Sequence, residues 1–189
     1  MHIRTNHRIF DYRKQQGIFP ESSLKTLSNM MTDKLQKELN VQIAAELWSA
    51  NLYLSMHFYF LNEGLDGFAH WMRQQAAEET DHACQMAAYM AKRGGIPKLD
   101  KIDVVPQTWD SPLKAFEETY KHECRVSGMI DALVKTAAAE NDNATQDFLW
   151  GFVREQVEEE ATALSIVEKI KRAGDAGILF IDAQLGGRK

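Results

Sequence analysis

The sequence predicts an all-α protein: four long helices joined as two hairpins by one long crossover, with a short fifth helix at the C-terminal end. Three observations carry this. From Thr32 onward apolar residues recur every three or four positions, the period of a helix with one buried face, and not every second position as in a strand. Glycine and proline clusters divide the body at 64–67, 94–97, 106–112 and 174–177, leaving uninterrupted stretches of helical length between them. At 189 residues and 44% apolar composition the chain can bury one substantial core.

The first helix is expected over 33–62. Thr32 is a good N-cap, Asn62-Glu63-Gly64 supplies a C-terminal stop, and Leu39, Ile43, Ala50, Tyr53 and Phe60 form its apolar stripe, which also takes in Glu46 and His57. The link Gly64–Gly67 is short enough to force the second helix, 68–93, antiparallel to the first. Gly94, Gly95 and Pro97 close that helix. The next connection, 95–111, is long for a compact domain unless it must travel the length of a bundle. Ser111 followed by Pro112 opens the third helix, 112–140, since proline is pre-shaped for the first helical position. Asn141-Asp142-Asn143 breaks it, and the fourth helix follows over 144–173. Beyond Gly174 and Gly177 the apolar piece Ile178–Leu185 forms a fifth, small helix. Helices of this length span about 40 Å.

Net charge is −5, unevenly spread. Residues 1–30 hold Arg4, Arg8, Arg13, Lys14 and Lys25 against Asp11 and Glu21, so the remainder is strongly acidic, a surface that repels nucleic acid and attracts small cations. Residues 1–30 lack the apolar centre of a signal peptide and read as a disordered basic extension, or as an artefact of the assigned start, with Met30-Met31 offering a second one. Cys84 and Cys124 show no paired spacing and read as reduced thiols of a cytoplasmic protein. No apolar run reaches membrane-spanning length.

Against this frame the acidic residues of the helices stand out. Glu46, Glu79 with His82 three residues on, Glu123, and the run Glu155-Gln156-Val157-Glu158-Glu159-Glu160 lie on four different helices and, on at least three of them, occupy or adjoin the core-facing stripe. An ionised carboxylate in a core is costly unless a cation compensates it. In a bundle of two hairpins, two metals are held when one helix of each hairpin gives a Glu and the other a Glu-x-x-His, because residues three apart share a face. Glu79-Thr80-Asp81-His82 meets the second requirement, Glu46 and Glu123 the first, and the fourth helix offers Gln156-x-x-Glu159 in place of the second Glu-x-x-His. Four carboxylates balance two divalent cations, and an oxygen-rich, nitrogen-poor set suits iron(II) or manganese rather than copper(I) or structural zinc. His57, His70 and His122 read as packed or surface histidines.

Residues 31–189 resemble a non-haem ferritin of the bacterial type through Glu46-Leu-Trp-Ser-Ala-Asn-Leu-Tyr53, Glu78-Glu79-Thr-Asp-His82, Tyr120-Lys-His-Glu123 and Glu155-Gln156-Val-Glu158-Glu159-Glu160. The resemblance implies a ferritin-like four-helix bundle that stores iron. Fe(II) would be oxidised by O2 or peroxide at a di-iron centre inside the bundle, and ferric oxide deposited in a hollow shell of 24 subunits. It implies that Glu46, Glu79 and His82 hold the first iron, with Glu79 bridging, and that Glu123 and Glu159 complete the second, with Gln156 alongside. Glu78, Glu155 and Glu158 match a third iron site, Tyr53 matches a tyrosine associated with electron donation, and Ile178–Leu185 would line a four-fold contact. No haem is implied.

One position departs from the pattern: Gly151 stands where bacterial ferritins often have tryptophan, and Trp150 lies one position earlier, about 100° round the helix. The rival relatives fit less well. A rubrerythrin-like redox protein needs cysteine knuckles, a bacterioferritin needs the second Glu-x-x-His and a haem ligand, and a DNA-protecting mini-ferritin places its ligands between subunits.

Overall fold

Capping side chains set where the helices begin. The hydroxyl of Thr32 accepts a hydrogen bond from Leu35 N at 3.3 Å and opens α1 (Asp33–Asn62). Ser111 accepts from Lys114 N at 3.2 Å and, with Pro112 in the first turn, opens α3 (Pro112–Ala139). Asp142 accepts from Thr145 N at 3.0 Å and opens α4 (Asn143–Leu185). The helix α2 (Asp66–Lys92) has no such cap of its own; its Phe68 N donates to Asp182 Oδ1 at 2.9 Å, borrowed from the far end of the chain. These elements come from a computed structural model, which describes residues 30–188, so the reading of 1–30 as an extension falls, Met30 apart, outside the described residues.

The protein is all-α among the described residues; α1, α2 and α3 start and stop within two residues of the sequence expectation, and α4 starts within one residue of it but runs on past the expected stop at 173 to Leu185. α1 packs along α2 and α3 along α4; α1 also meets α3, and α2 meets α4. The connection after α2 runs beside α1 in α1's own direction. Asn40 binds the backbone of Ile96 and Lys98, and farther along Ser55 Oγ donates to Pro106 O at 2.6 Å. α3 therefore starts at the C-terminal end of α1, where Trp109 meets Tyr59, giving an up-down-down-up bundle.

Inside α4, Gly174 adopts φ 58°, ψ −172°, a left-handed conformation that favours glycine, and breaks the helix into two pieces. The second piece is the short fifth helix expected from the sequence. It folds back so closely on α2 that a Cβ at Gly67 would lie 1.7 Å from Asp182 O. Ile181 is buried and Ile178 packs on the core, whereas Leu179 and Phe180 are 68% and 67% exposed.

The core forms two apolar clusters. One gathers Leu52, Met56, Phe60, Phe68, Trp71, Phe116 and Ile166 towards one end of the bundle. The other gathers Leu35, Leu39, Met86, Met90, Ile130 and Leu149 towards the opposite end. The carboxylates of the sequence pattern lie in the waist between them. No helix among the described residues is long and apolar enough to cross a membrane.

Candidate metal centre

At the waist each helix turns one polar side chain or more inward. Glu46, Glu79, His82, Glu123 and Gln156 are all at most 5% exposed, a placement that water-exposed acidic faces never show. Ligand-capable atoms of Glu46, Glu79 and His82 lie within 4.8 Å of one another, and so do those of Glu79, Glu123 and Glu159. Glu79 belongs to both groups and faces both positions.

Glu46 and Glu159 are each held at one oxygen, and Glu123 at both. Gln42 Nε2 donates to Glu46 Oε1 at 2.8 Å, and Gln75 Nε2 to Glu159 Oε1 at 3.0 Å. Gln156 Nε2 donates to Glu123 Oε2 at 3.2 Å, and the hydroxyl of fully buried Tyr53 donates to Glu123 Oε1. The remaining oxygens Glu46 Oε2 and Glu159 Oε2 are buried with no hydrogen-bond partner. A buried unsatisfied acceptor costs about 1–3 kcal/mol, so two at one site mark a place built for a cation. His82 turns Nδ1 towards Glu79 (3.5 Å) and Nε2 towards Glu155 (3.2 Å). The second carboxylate can orient the ring while Nδ1 faces the site.

The electrostatics record the crowding. Burial, then the charge of Glu79, holds the Glu46 carboxyl well above the usual range. Burial and Glu79 likewise push Glu123 up to about 7, against the donations from Tyr53 and Gln156. Burial, Glu123 and Glu79 push Glu159 up to about 9. For His82, burial disfavours the cation, but its hydrogen bond to Glu79 and the charges of Glu79, Glu155 and Glu46 prevail, taking it up to about 10. Burial and Glu123 raise the Tyr53 phenol. Protons thus stand in for the positive charge that the donor set is shaped to receive.

A family profile described as a ferritin-like domain matches residues 36–173. The bacterial non-heme ferritin of Bacteroides fragilis is 67% identical over 159 residues, 84% of this chain and the whole of that protein. The chain belongs to the ferritin family. The bacterial non-heme ferritin of Campylobacter jejuni is 37% identical over 148 residues, 78% of this chain and 89% of that protein. Among solved structures, an open pore ferritin from the archaeon Archaeoglobus fulgidus superposes with a TM-score of 0.83 at 48% identity, covering 84% of this chain and 99% of that one. An engineered closed form of the same ferritin gives 0.82 at 48% identity, covering 84% and 98%.

In this ferritin the fold brings together Glu46, Glu79, His82, Glu123 and Glu159, with Gln156 and Tyr53 on Glu123. Glu78, Glu155 and Glu158 belong to neither group: Glu78 pairs with Arg188 at 2.5 Å, Glu155 stands behind His82, and Glu158 is exposed. Trp150 is 46% exposed on the outside of α4. His57 and His70 bind backbone carbonyls, of Ala69 and Arg188. His122 is buried against Ser49 (2.7 Å), Trp48 (ring centroids 5.3 Å) and Tyr53 (6.0 Å), and burial takes it down to about 4. Cys84 and Cys124 are free thiols, and Asp142 caps α4 and pairs with Arg93.

Sequence reasoning passed over Gln42, Gln75, Trp48 and Arg188. Spacing could have found the first two, since each lies four residues before a carboxylate of the site, on the same helical face.

Proposed function

We propose that this ferritin oxidises Fe(II) at the waist of its bundle and stores the product as ferric oxide inside a hollow shell. The observation that carries the reading is the pair of three-residue groups sharing Glu79. Two Fe(II) enter as substrate, one facing Glu46, Glu79 and His82, the other Glu79, Glu123 and Glu159 with Gln156 beside it. Each gives up one electron. Dioxygen accepts the pair and, with two protons, leaves as hydrogen peroxide; peroxide itself can serve as the oxidant.

The four carboxylates balance two Fe(II) and fall two charges short of two Fe(III), so the oxidised pair draws in oxo or hydroxo groups. The fourth helix gives an amide and a carboxylate where a second histidine would hold iron more firmly. Iron therefore leaves towards a mineral, and no haem takes part. Glu78, Glu155 and Glu158 are assigned as acceptors on that way. Tyr53, hydrogen-bonded to Glu123, is assigned as the residue that supplies a further electron when oxygen is reduced beyond peroxide. Exposed Leu179 and Phe180 favour burial between copies, which fits a shell of 24 subunits in the cytoplasm.

The test is anaerobic loading with two Fe(II) per chain followed by O2. Formation of Fe(III) within seconds, abolished by Glu79→Ala and His82→Ala, is the expected result. Oxidation at the same rate in both variants would sink the reading, and sedimentation of the purified protein as a lone bundle would sink the shell.

A further inference from the structure

Arg188, three residues beyond α4, lies along α2 and is linked by two successive hydrogen bonds, through Gln75, to Glu159 of the waist. Its guanidinium sits 4.7 Å over the Trp71 ring, and its Nη2 pairs with Glu78 Oε2 at 2.5 Å. Its Nη1 donates to Gln75 Oε1 at 2.9 Å and reaches Trp71 O at 3.4 Å, while its own carbonyl meets His70 Nε2 at 2.7 Å. Gln75, 2% exposed, then donates from Nε2 to Glu159 Oε1.

A glutamine amide has a donor end and an acceptor end and can present either. A guanidinium has only donors. Arg188 therefore fixes which way the Gln75 amide points: its oxygen must face outward to the arginine, so its NH2 faces inward to the carboxylate. Without the arginine the amide can turn over and set its oxygen against Glu159, repelling the carboxylate it now holds.

We propose that Arg188 is a positioning residue for the second metal position, acting through the Gln75 amide to aim the free oxygen of Glu159 into the site. The inference rests on the reading of this waist as a two-metal site. It makes the docking of the C-terminal segment, through Asp182 on Phe68 N and Arg188 on α2, a condition for tight binding at one metal position and not the other.

The experiment titrates the full-length, metal-free assembly with Co(II) alone, followed by calorimetry and by the visible absorption of bound Co(II). Wild type is expected to take two Co(II) per chain in separable steps. Arg188→Ala should weaken the second step by about tenfold, the usual scale for losing a group that orients a ligand, and leave the first unchanged. Arg188→Lys, which keeps a donor-only head, should retain most of the wild-type second step. Gln75→Leu should weaken the second step alike, and adding Arg188→Ala to it should weaken that step no further. Equal binding by wild type and Arg188→Ala, equal weakening of both steps, or a full additional loss in the double variant would each overturn the assignment. A wild type that binds fewer than two Co(II) overturns this inference together with the two-metal reading. Two bound Co(II) without iron oxidation would overturn only the proposed function.

Discussion

Gln42 Nε2 holds one oxygen of Glu46 at 2.8 Å and leaves the other buried with no partner. The amide does two things at once: it fixes the carboxylate's rotation, and it uses up the lone pairs that do not face the site. Replacing Gln42 by Leu keeps the volume and removes the donor. First-step metal affinity should fall by about 10-fold, read by anaerobic Fe(II) calorimetry, with second-step affinity retained. An unchanged first step would mean that packing alone orients Glu46.

Glu79 is common to both groups, and Glu46 belongs to one. Glu46→Ala should reduce binding towards one Fe(II) per chain, whereas Glu79→Ala should abolish both. Stoichiometry from anaerobic titration separates the cases, and equal losses would contradict the sharing.

The pH dependence of metal-free stability should run against the usual trend. Glu159, raised to about 9, binds a proton in the folded state at pH values where the unfolded chain has lost it. His82, raised to about 10, does the same between its ordinary value near 6.5 and 10. The folded state then holds more protons, so stability falls as pH rises between 7 and 9. His122, lowered to about 4, acts in the opposite sense but only below its ordinary value, outside this window. The melting temperature of the metal-free protein should therefore drop from pH 7 to pH 9, and less steeply in Glu159→Gln. A rising or flat profile would contradict the crowding.

Gly151 sits inside α4 with nothing within 4 Å of an added Cβ. Gly151→Ala should stabilise the chain by about 0.5–1 kcal/mol through reduced backbone freedom in the unfolded state. Thermal or urea unfolding checks the sign.

Gly67→Ala should do the reverse, because its Cβ would strike the Asp182 carbonyl at 1.7 Å. The fifth helix should lose its seat on α2, seen as faster amide exchange over 178–185, while exchange in the waist of the bundle stays slow.

Much of this was legible in the sequence for a definite physical reason. Helical period, caps such as Thr32 and Ser111, and breakers such as Gly94-Gly95 are local signals, and the helices begin and end where those signals lie. The convergence of Glu46, Glu79, His82, Glu123 and Glu159 was legible because buried charge conflicts with an apolar stripe. The groups that hold those ligands were not. Gln75 owes its orientation to Arg188, 113 residues away, and His122 meets Ser49 across 73 residues. Such pairs leave no periodic trace, since each depends on how two helices happen to face. Nor could spacing tell that Glu78 would be taken by Arg188 and Glu155 by His82.

The division of the donor set between the two hairpins bears on how the chain comes to be dangerous or safe while it folds. Glu46, Glu79 and His82 all belong to α1 and α2, which a three-residue link joins into a hairpin of local contacts. Glu123 and Glu159 come from α3 and α4, on the far side of the crossover. On the proposed two-iron reading, one hairpin alone carries Glu46, Glu79 and His82 but lacks the Glu123 and Glu159 that complete the second group. On that reading, paired oxidation needs both hairpins.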